Sequence, residues 1–213
     1  MPGKVCLVDW APAWGINGEH ATLQRTERCL ITNYLPSKTM VSNKKRLYVA
    51  LYPSGIVNNE ERKYHWGFLI GPKDEDKARV PGLRCNVKNH PIQGWTYEEV
   101  KLENVKSTTT LLARLVIAKV EDEKGLLKIL RNTAVVQDNP DFRCRTWMED
   151  ALLRISKAEP KVVGTSKLDW SKIEPKARRY VGEKNAAGRY LDGERMLEPK
   201  PTWNMLEEKE IVP

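Results

Sequence analysis

Between Lys44 and Val120 the chain repeats one pattern, a short run of β-branched and aromatic residues closed by a proline- and glycine-rich turn, and this most restricts its fold. Arg46-Leu-Tyr-Val-Ala-Leu-Tyr52 stops at Pro53-Ser-Gly55, and Lys63-Tyr-His-Trp-Gly-Phe-Leu-Ile70 stops at Gly71-Pro72. Further strands are expected over Gly82–Asn89, Trp95–Leu102 and Leu111–Val120, the last nearly continuous in apolar residues and so central. The first two strands should pair antiparallel. Alternation in the second puts Tyr64, Trp66, Phe68 and Ile70 on one face and His65, Gly67 and Leu69 on the other. Glycine beside histidine leaves room next to the imidazole for a substrate or another backbone.

Helical periods follow. Acidic Glu121-Asp-Glu123 opens a short helix over Gly125–Asn132, and Thr133–Gln137 reads as a last short strand. The next stretch, Asp138 to Ile155, is a turn running into an amphipathic helix whose inward face carries Trp147, Met148, Ala151, Leu152 and Ile155. Asn139 or Asp141 can cap it, and Pro140 stands where no backbone donor is needed. Cys144 falls in its first turn. Free N–H groups and the helix dipole favour a thiolate there, and Arg143 and Arg145 add to the same field. Against this stands the ordinary behaviour of cysteine as a small buried hydrophobe. The expected class is therefore α+β, an antiparallel sheet with packed helices.

Composition narrows the function. A chain of 213 residues can bury a full core, and the expected division is an irregular N-terminal arm (1–43), an α+β catalytic core (44–165) and a basic C-terminal helix with an extended tail (166–213), either part of the same domain or an appendage to it. Leu111–Val120 is broken by Arg114 and Lys119, so no segment reads as a membrane span, and Asp9 ends the short apolar run near the N-terminus. A cytoplasmic protein is expected. The four cysteines are widely spaced and only three histidines are present, which suggests no metal and no cofactor. A net charge of +8 favours polyanionic partners, although a basic enzyme surface would give the same balance.

A strand histidine (His65), a polar residue on the next strand (Asn86) and a cysteine at a helix start (Cys144) occur in that order. The arrangement resembles the circularly permuted papain-like fold of the lecithin:retinol acyltransferase family, in which the histidine strand precedes the cysteine helix. Asp141-Phe-Arg-Cys-Arg-Thr-Trp147 is similar to the helix start of that group, with Arg143 where asparagine is frequent. The resemblance implies a Cys-His-Asn triad: Cys144 as nucleophile, His65 as base, Asn86 fixing the tautomer, and backbone N–H groups holding the oxyanion. His90 competes as base, but it precedes Pro91 in a turn.

A second resemblance rests on Tyr64-His-Trp-Gly-Phe-Leu69, Gly94-Trp-Thr-Tyr-Glu98, Cys144-Arg-Thr-Trp147 and the basic C-terminal region. Together these look like a family of small fungal proteins similar to the arginine-containing cyclodipeptide synthases. That resemblance implies transfer of two aminoacyl groups from aminoacyl-tRNA, one of them arginyl, and closure to a diketopiperazine. Trp66 and Trp95 belong to those motifs as substrate-binding candidates. Glu98, Glu99 and Asp150 are candidates for the fork that a guanidinium prefers.

The tail can be read physically beside this. From Leu168 to Tyr190, Lys172, Lys176, Arg178, Arg179, Lys184 and Arg189 cluster with interleaved Trp170, Tyr180 and Tyr190, and Asp169 or Ser171 can cap the helix. Cations that neutralise phosphates and rings that stack on bases suit RNA. A solvated helix docked through Ile173, Ala177 and Tyr180 explains the same residues. Three functions stay open: a tRNA-dependent cyclodipeptide synthase, a cysteine hydrolase or acyltransferase acting on a lipid, peptide or thioester, and an RNA-binding module without catalysis.

Overall fold

The structure is a computed structural model that describes residues 44–213; the arm expected over 1–43 lies outside the described residues. Strands β1 (Lys45–Pro53), β2 (Tyr64–Pro72), β3 (Gly82–His90), β4 (Gly94–Leu102) and β5 (Ala113–Val120) come first, then helices α1 (Glu123–Arg131) and α2 (Cys144–Ser156). Strand β6 (Val163–Ser166), helix α3 (Trp170–Ala186), a 3-10 turn (Arg195–Leu197) and strands β7 (Thr202–Asn204) and β8 (Lys209–Val212) complete it. Among the described residues the sheet has eight strands in the order β4-β3-β2-β1-β5-β7-β8, with β6 paired to β5 off that path. All pairings are antiparallel except β5 with β7. The α+β class is therefore as expected, and the segment from 166 onward closes the same sheet.

Alternation on β2 sorts the two faces. Trp66, Phe68 and Ile70 join Leu47, Val49, Leu115 and Ile117 in the main core, where α2 supplies Trp147, Met148, Ala151 and Leu152 and α3 supplies Ile173, Ala177 and Tyr180. Leu69 lies on the other face with Tyr48, Ala50, Tyr52 and Val116. Burying one large apolar side chain stabilises by about 1.5–3 kcal/mol, so the helix-covered face carries most of the fold. Helix α3 is capped by Asp169, which accepts from Ser171 N–H.

Some elements differ from the sequence reading, and each difference has a local cause. Thr133–Gln137 forms no strand. Instead the Gln137 amide accepts from Trp95 N–H (2.9 Å) and donates to Trp95 C=O (2.7 Å), so one side chain replaces a strand at the start of β4. Gly94 permits this: its φ is +70°, and a Cβ there would lie 2.4 Å from the amide oxygen. Neither Asn139 nor Asp141 caps α2. Asn139 closes the turn before it by accepting from Asp141 N–H, and Arg143 is the N-cap, with its N–H donating to Thr146 Oγ1 at 2.9 Å. The C-terminal tail is extended as expected; what the sequence did not show is its partner, β7 lying parallel to β5 and β8 folding back on β7.

The face away from the helices hides a charge. Arg114 on β5 is 1% exposed, donates to both Glu75 carboxylate oxygens, to Val105 C=O and to Thr202 Oγ1, and stacks over Tyr48. Glu75 also accepts from the Tyr48 hydroxyl at 3.1 Å. Removing the carboxylate leaves a buried guanidinium uncompensated. Glu75→Ala should therefore lower unfolding stability by about 3–5 kcal/mol in urea titration, far more than the near-zero change expected for Glu103→Ala at the exposed pair with Arg79.

Candidate active site

The site arises where two neighbouring strands part. Strand β2 pairs with β3 over Phe68–Ile70 against Leu83–Cys85, while its first residues pair with β1 alone. Gly67 brings the strands close at the fork, since a Cβ there would sit 3.1 Å from Asn86 Cβ and 3.3 Å from Cys85 C=O. The room that a glycine leaves is taken by β3. Just beyond the fork, Trp66 N–H donates to the sulfur of Cys144 at 3.4 Å, and the first turn of α2 is thereby fixed to the strand.

A cleft of about 650 Å3 opens beside this contact, and Cys144, His65 and Asn86 all line it. The three residues singled out from the sequence thus share one cavity. Trp95 and Glu98 line it as well, with Tyr52 and Arg84 behind them and Arg62, Arg143 and Arg145 at its wall. Within the described residues the sulfur is bonded to Trp66 N–H and not to the imidazole, and Asn86, 1% exposed, has a buried Oδ1 without a partner. No group of three metal-ligating side chains occurs among the described residues.

Electrostatics in the cleft differ from what a helix start alone suggests. Burial pushes the Cys144 thiol up from its ordinary value; the N–H groups of Trp66, Arg145 and Cys144 itself, and the charge of Arg145, pull it down but do not win. Arg145 is also partly neutralised, with Glu61 at 2.6 Å and Glu174 at 3.4 Å. His65 is pushed down to about 4, first by burial and then by Arg84, with Glu98 pulling the other way and Lys88 adding to the depression. The resting pair is a neutral thiol and a neutral imidazole. Each is neutral for the same reason, since burial disfavours the charged form of both groups.

Other residues expected in the site lie elsewhere. Trp66 is fully buried, edge-on to Trp170 at 5.3 Å, and supports the cleft from inside the core. Glu99 points to the opposite face of β4, where it binds Arg131 (2.6 Å) and the Tyr97 hydroxyl (2.9 Å). Asp150 pairs with Arg154 on α2, outside the cleft. Glu98 remains, on the cleft wall and 3.1 Å from His90 Nε2, so His90 acts on a carboxylate and not on the sulfur.

The basic helix is mostly self-satisfied. Arg178 binds Glu174 and the carbonyls of Glu60 and Glu61, Lys184 binds Glu210, and Arg189 is buried against the carbonyls of Arg195 and Pro199. Lys172, Lys176 and Arg179 line a separate groove of about 490 Å3, where the Lys176 ammonium sits 3.2 Å from the centre of the Trp203 ring. Sequence reasoning missed Arg84 and Tyr52. Only their alternation with Asn86 and their cross-strand neighbours could have placed them on the face of His65.

Residues 44–212 match a family described as "Family of unknown function (DUF6914)". The chain belongs to it. No curated protein and no solved structure matches the chain. The family's extent coincides with the sheet and its helices, so the cleft lies wholly inside the family region. No helix among the described residues is long and apolar enough to cross a membrane.

The depressed imidazole fixes a pH signature. Its folded pKa lies below the unfolded value near 6.5, so its contribution to stability is complete above about pH 6.5 and is lost as pH falls towards 4. NMR titration of the His65 ring should give a midpoint near 4, and His65→Gln should remove that part of the acid destabilisation. Iodoacetamide should alkylate Cys144 slowly at neutral pH, with the rate rising only above the ordinary thiol value of 9.0; fast alkylation at pH 6 would contradict a neutral thiol.

Proposed function

We propose that the cleft performs cysteine-dependent acyl transfer, with Cys144 as nucleophile, His65 as base and Asn86 as the residue that orients the imidazole. The observation that carries this reading is the meeting of all three side chains in one cavity at the start of α2, with Trp66 N–H aimed at the sulfur. The neutral imidazole takes the thiol proton as sulfur attacks the acyl carbon, and the imidazolium, a stronger acid than usual because of its low pKa, returns that proton to the leaving oxygen. Backbone N–H groups around Cys144 supply the oxyanion contacts. Asn86 Oδ1, without a partner at rest, accepts the imidazole N–H when the ring turns towards it.

The specific substrate we propose is aminoacyl-tRNA, including arginyl-tRNA, with a diketopiperazine as product. Cys144 takes the first aminoacyl group as a thioester and releases the ribose oxygen of the tRNA. The amine of a second aminoacyl-tRNA then attacks the thioester and frees the sulfur. The remaining amine closes on the second ester and expels the second tRNA. Glu98 on the wall is suited to a guanidinium, and Arg62 and Arg143 at the wall suit an RNA backbone. The resemblance drawn from the sequence motifs supports the same choice.

A second reading, hydrolysis or acyl transfer on a lipid, peptide or thioester, is favoured by one observation. Arg178, Lys184 and Arg189 are engaged within the protein and offer RNA no continuous stripe. The two readings separate in one experiment. On expression in a heterologous host, mass spectrometry should detect an arginine-containing diketopiperazine that is absent with Cys144→Ala and reduced by about 10²–10⁴-fold with His65→Ala. Folded protein that yields none, yet cleaves an activated thioester without RNA, would favour the second reading.

A further inference from the structure

In the cleft, on the His65 side of the sheet, a half-buried cation has no carboxylate partner among the described residues. Arg84 lines the cavity, stacks over the Tyr52 ring at 5.5 Å and forms no ion pair among the described residues. Its Nε is buried without a hydrogen-bond partner. Tyr52 is 4% exposed and also lines the cleft, and its buried hydroxyl lies beside Arg84 and Thr108 with no partner in full hydrogen-bond geometry. Thr108 adds an unpartnered Oγ1 near that hydroxyl. Burial keeps Tyr52 a protonated phenol, so Tyr52 and Arg84 present donors. Buried donors are nearly always satisfied, and leaving one open is costly.

The two buried arginines outside the cleft make the contrast. Arg114 binds Glu75, and Arg189 is capped by carbonyls with Glu198 nearby. Their charges are answered from within the chain. The half-buried Arg84 has an Nε without an acceptor and no carboxylate partner, and it faces a cavity large enough to admit one.

We propose that Arg84 and Tyr52 form a subsite for an anionic oxygen group of the ligand, a phosphate or a carboxylate, held beside His65. The proposal rests on the cleft reading above only in taking this cavity as the substrate's berth; it requires no covalent step at Cys144. Phosphate would come from a nucleotide end, and carboxylate from a free amino acid or peptide. Occupancy also acts on the base. Of the titratable and charged groups that line the cleft with His65, Arg84 and Lys88 from β3 and Glu98 from β4 act on the ring, and Tyr52 from β1, Glu61 and Arg62 from the loop before β2, Tyr64 from β2, and Arg143, Cys144 and Arg145 at the start of α2 complete the lining. An anion on Arg84 cancels a charge that opposes imidazolium formation, so binding makes His65 a stronger base at the moment substrate arrives.

The test is NMR titration of the His65 ring in Cys144→Ala protein, which keeps the cleft while removing any turnover, against inorganic phosphate and, separately, acetate. Saturable shifts of the ring signals are expected, with a rise in the His65 midpoint of at least half a unit when the anion is bound. Arg84→Gln should weaken binding at least tenfold and raise the His65 midpoint without any anion, and Arg84→Lys should restore part of the binding. Arg79→Gln removes the same charge outside the cleft and should leave binding within twofold. Tighter binding of phosphate indicates a nucleotide source, and tighter binding of acetate a carboxylate source. No saturable shift with either ion, or equal loss in Arg79→Gln, would overturn the subsite. Diketopiperazine formation without anion binding would overturn this inference alone, and anion binding without product would overturn the proposed reaction alone.

Discussion

The contact on which the rest depends is that between the backbone N–H of Trp66 and the sulfur of Cys144. It exists because β2 leaves β3 after a short shared register, so a strand donor that would normally enter a ladder is free to meet a helix. The helix can approach because its inner face carries Trp147, Met148, Ala151 and Leu152, all buried against the sheet. Packing and polarity thus act at one point. The hydrophobic face brings α2 down, and the fork in the sheet receives its first residue.

The same fork explains why the cleft has two characters. On its helix side lie Cys144 and the backbone donors of the first turn; on its sheet side lie His65, Asn86, Arg84 and Tyr52. A sheet closed at this point would keep the sets on opposite faces. Where the strands part, both sets line one cleft. Burial that accompanies the arrangement raises the thiol and lowers the imidazole, so both groups are neutral near pH 7 although charged side chains line the same cleft. The loop from Ser54 to Lys63 completes the wall, held by Arg145 and Arg178 through Glu61, Glu60 and Glu174.

Charge in this protein is used more for internal order than its total suggests. A net charge of +8 invites an expectation of a nucleic-acid surface, and the α3 cluster sharpens it. In the folded chain Lys184 meets Glu210, Arg189 meets main-chain carbonyls, and Arg178 straps a loop. Residues that look like a stripe in one dimension are distributed around a helix and just beyond it, and acceptors outside the helix meet three of the six, Arg178, Lys184 and Arg189. Arg84 is the opposite case: unremarkable in the sequence, and unanswered in the fold.

Local rules were enough for much of the architecture. Alternation from Tyr64 to Ile70 sorts two faces, proline and glycine end the strands, and the apolar spacing after Cys144 sets the buried side of α2. These features depend on residues near one another in the chain, so the sequence carries them directly. Partners distant along the chain were decided by tertiary structure. These include Gln137 standing in for a strand at Trp95, β7 lying parallel to β5, Glu99 and Asp150 turned away from the cleft while Glu98 faces it, and Tyr52 brought to Arg84. The reason is physical. Periodicity fixes which way a side chain leaves its own backbone, but what it meets there depends on how strands are ordered and where two of them separate.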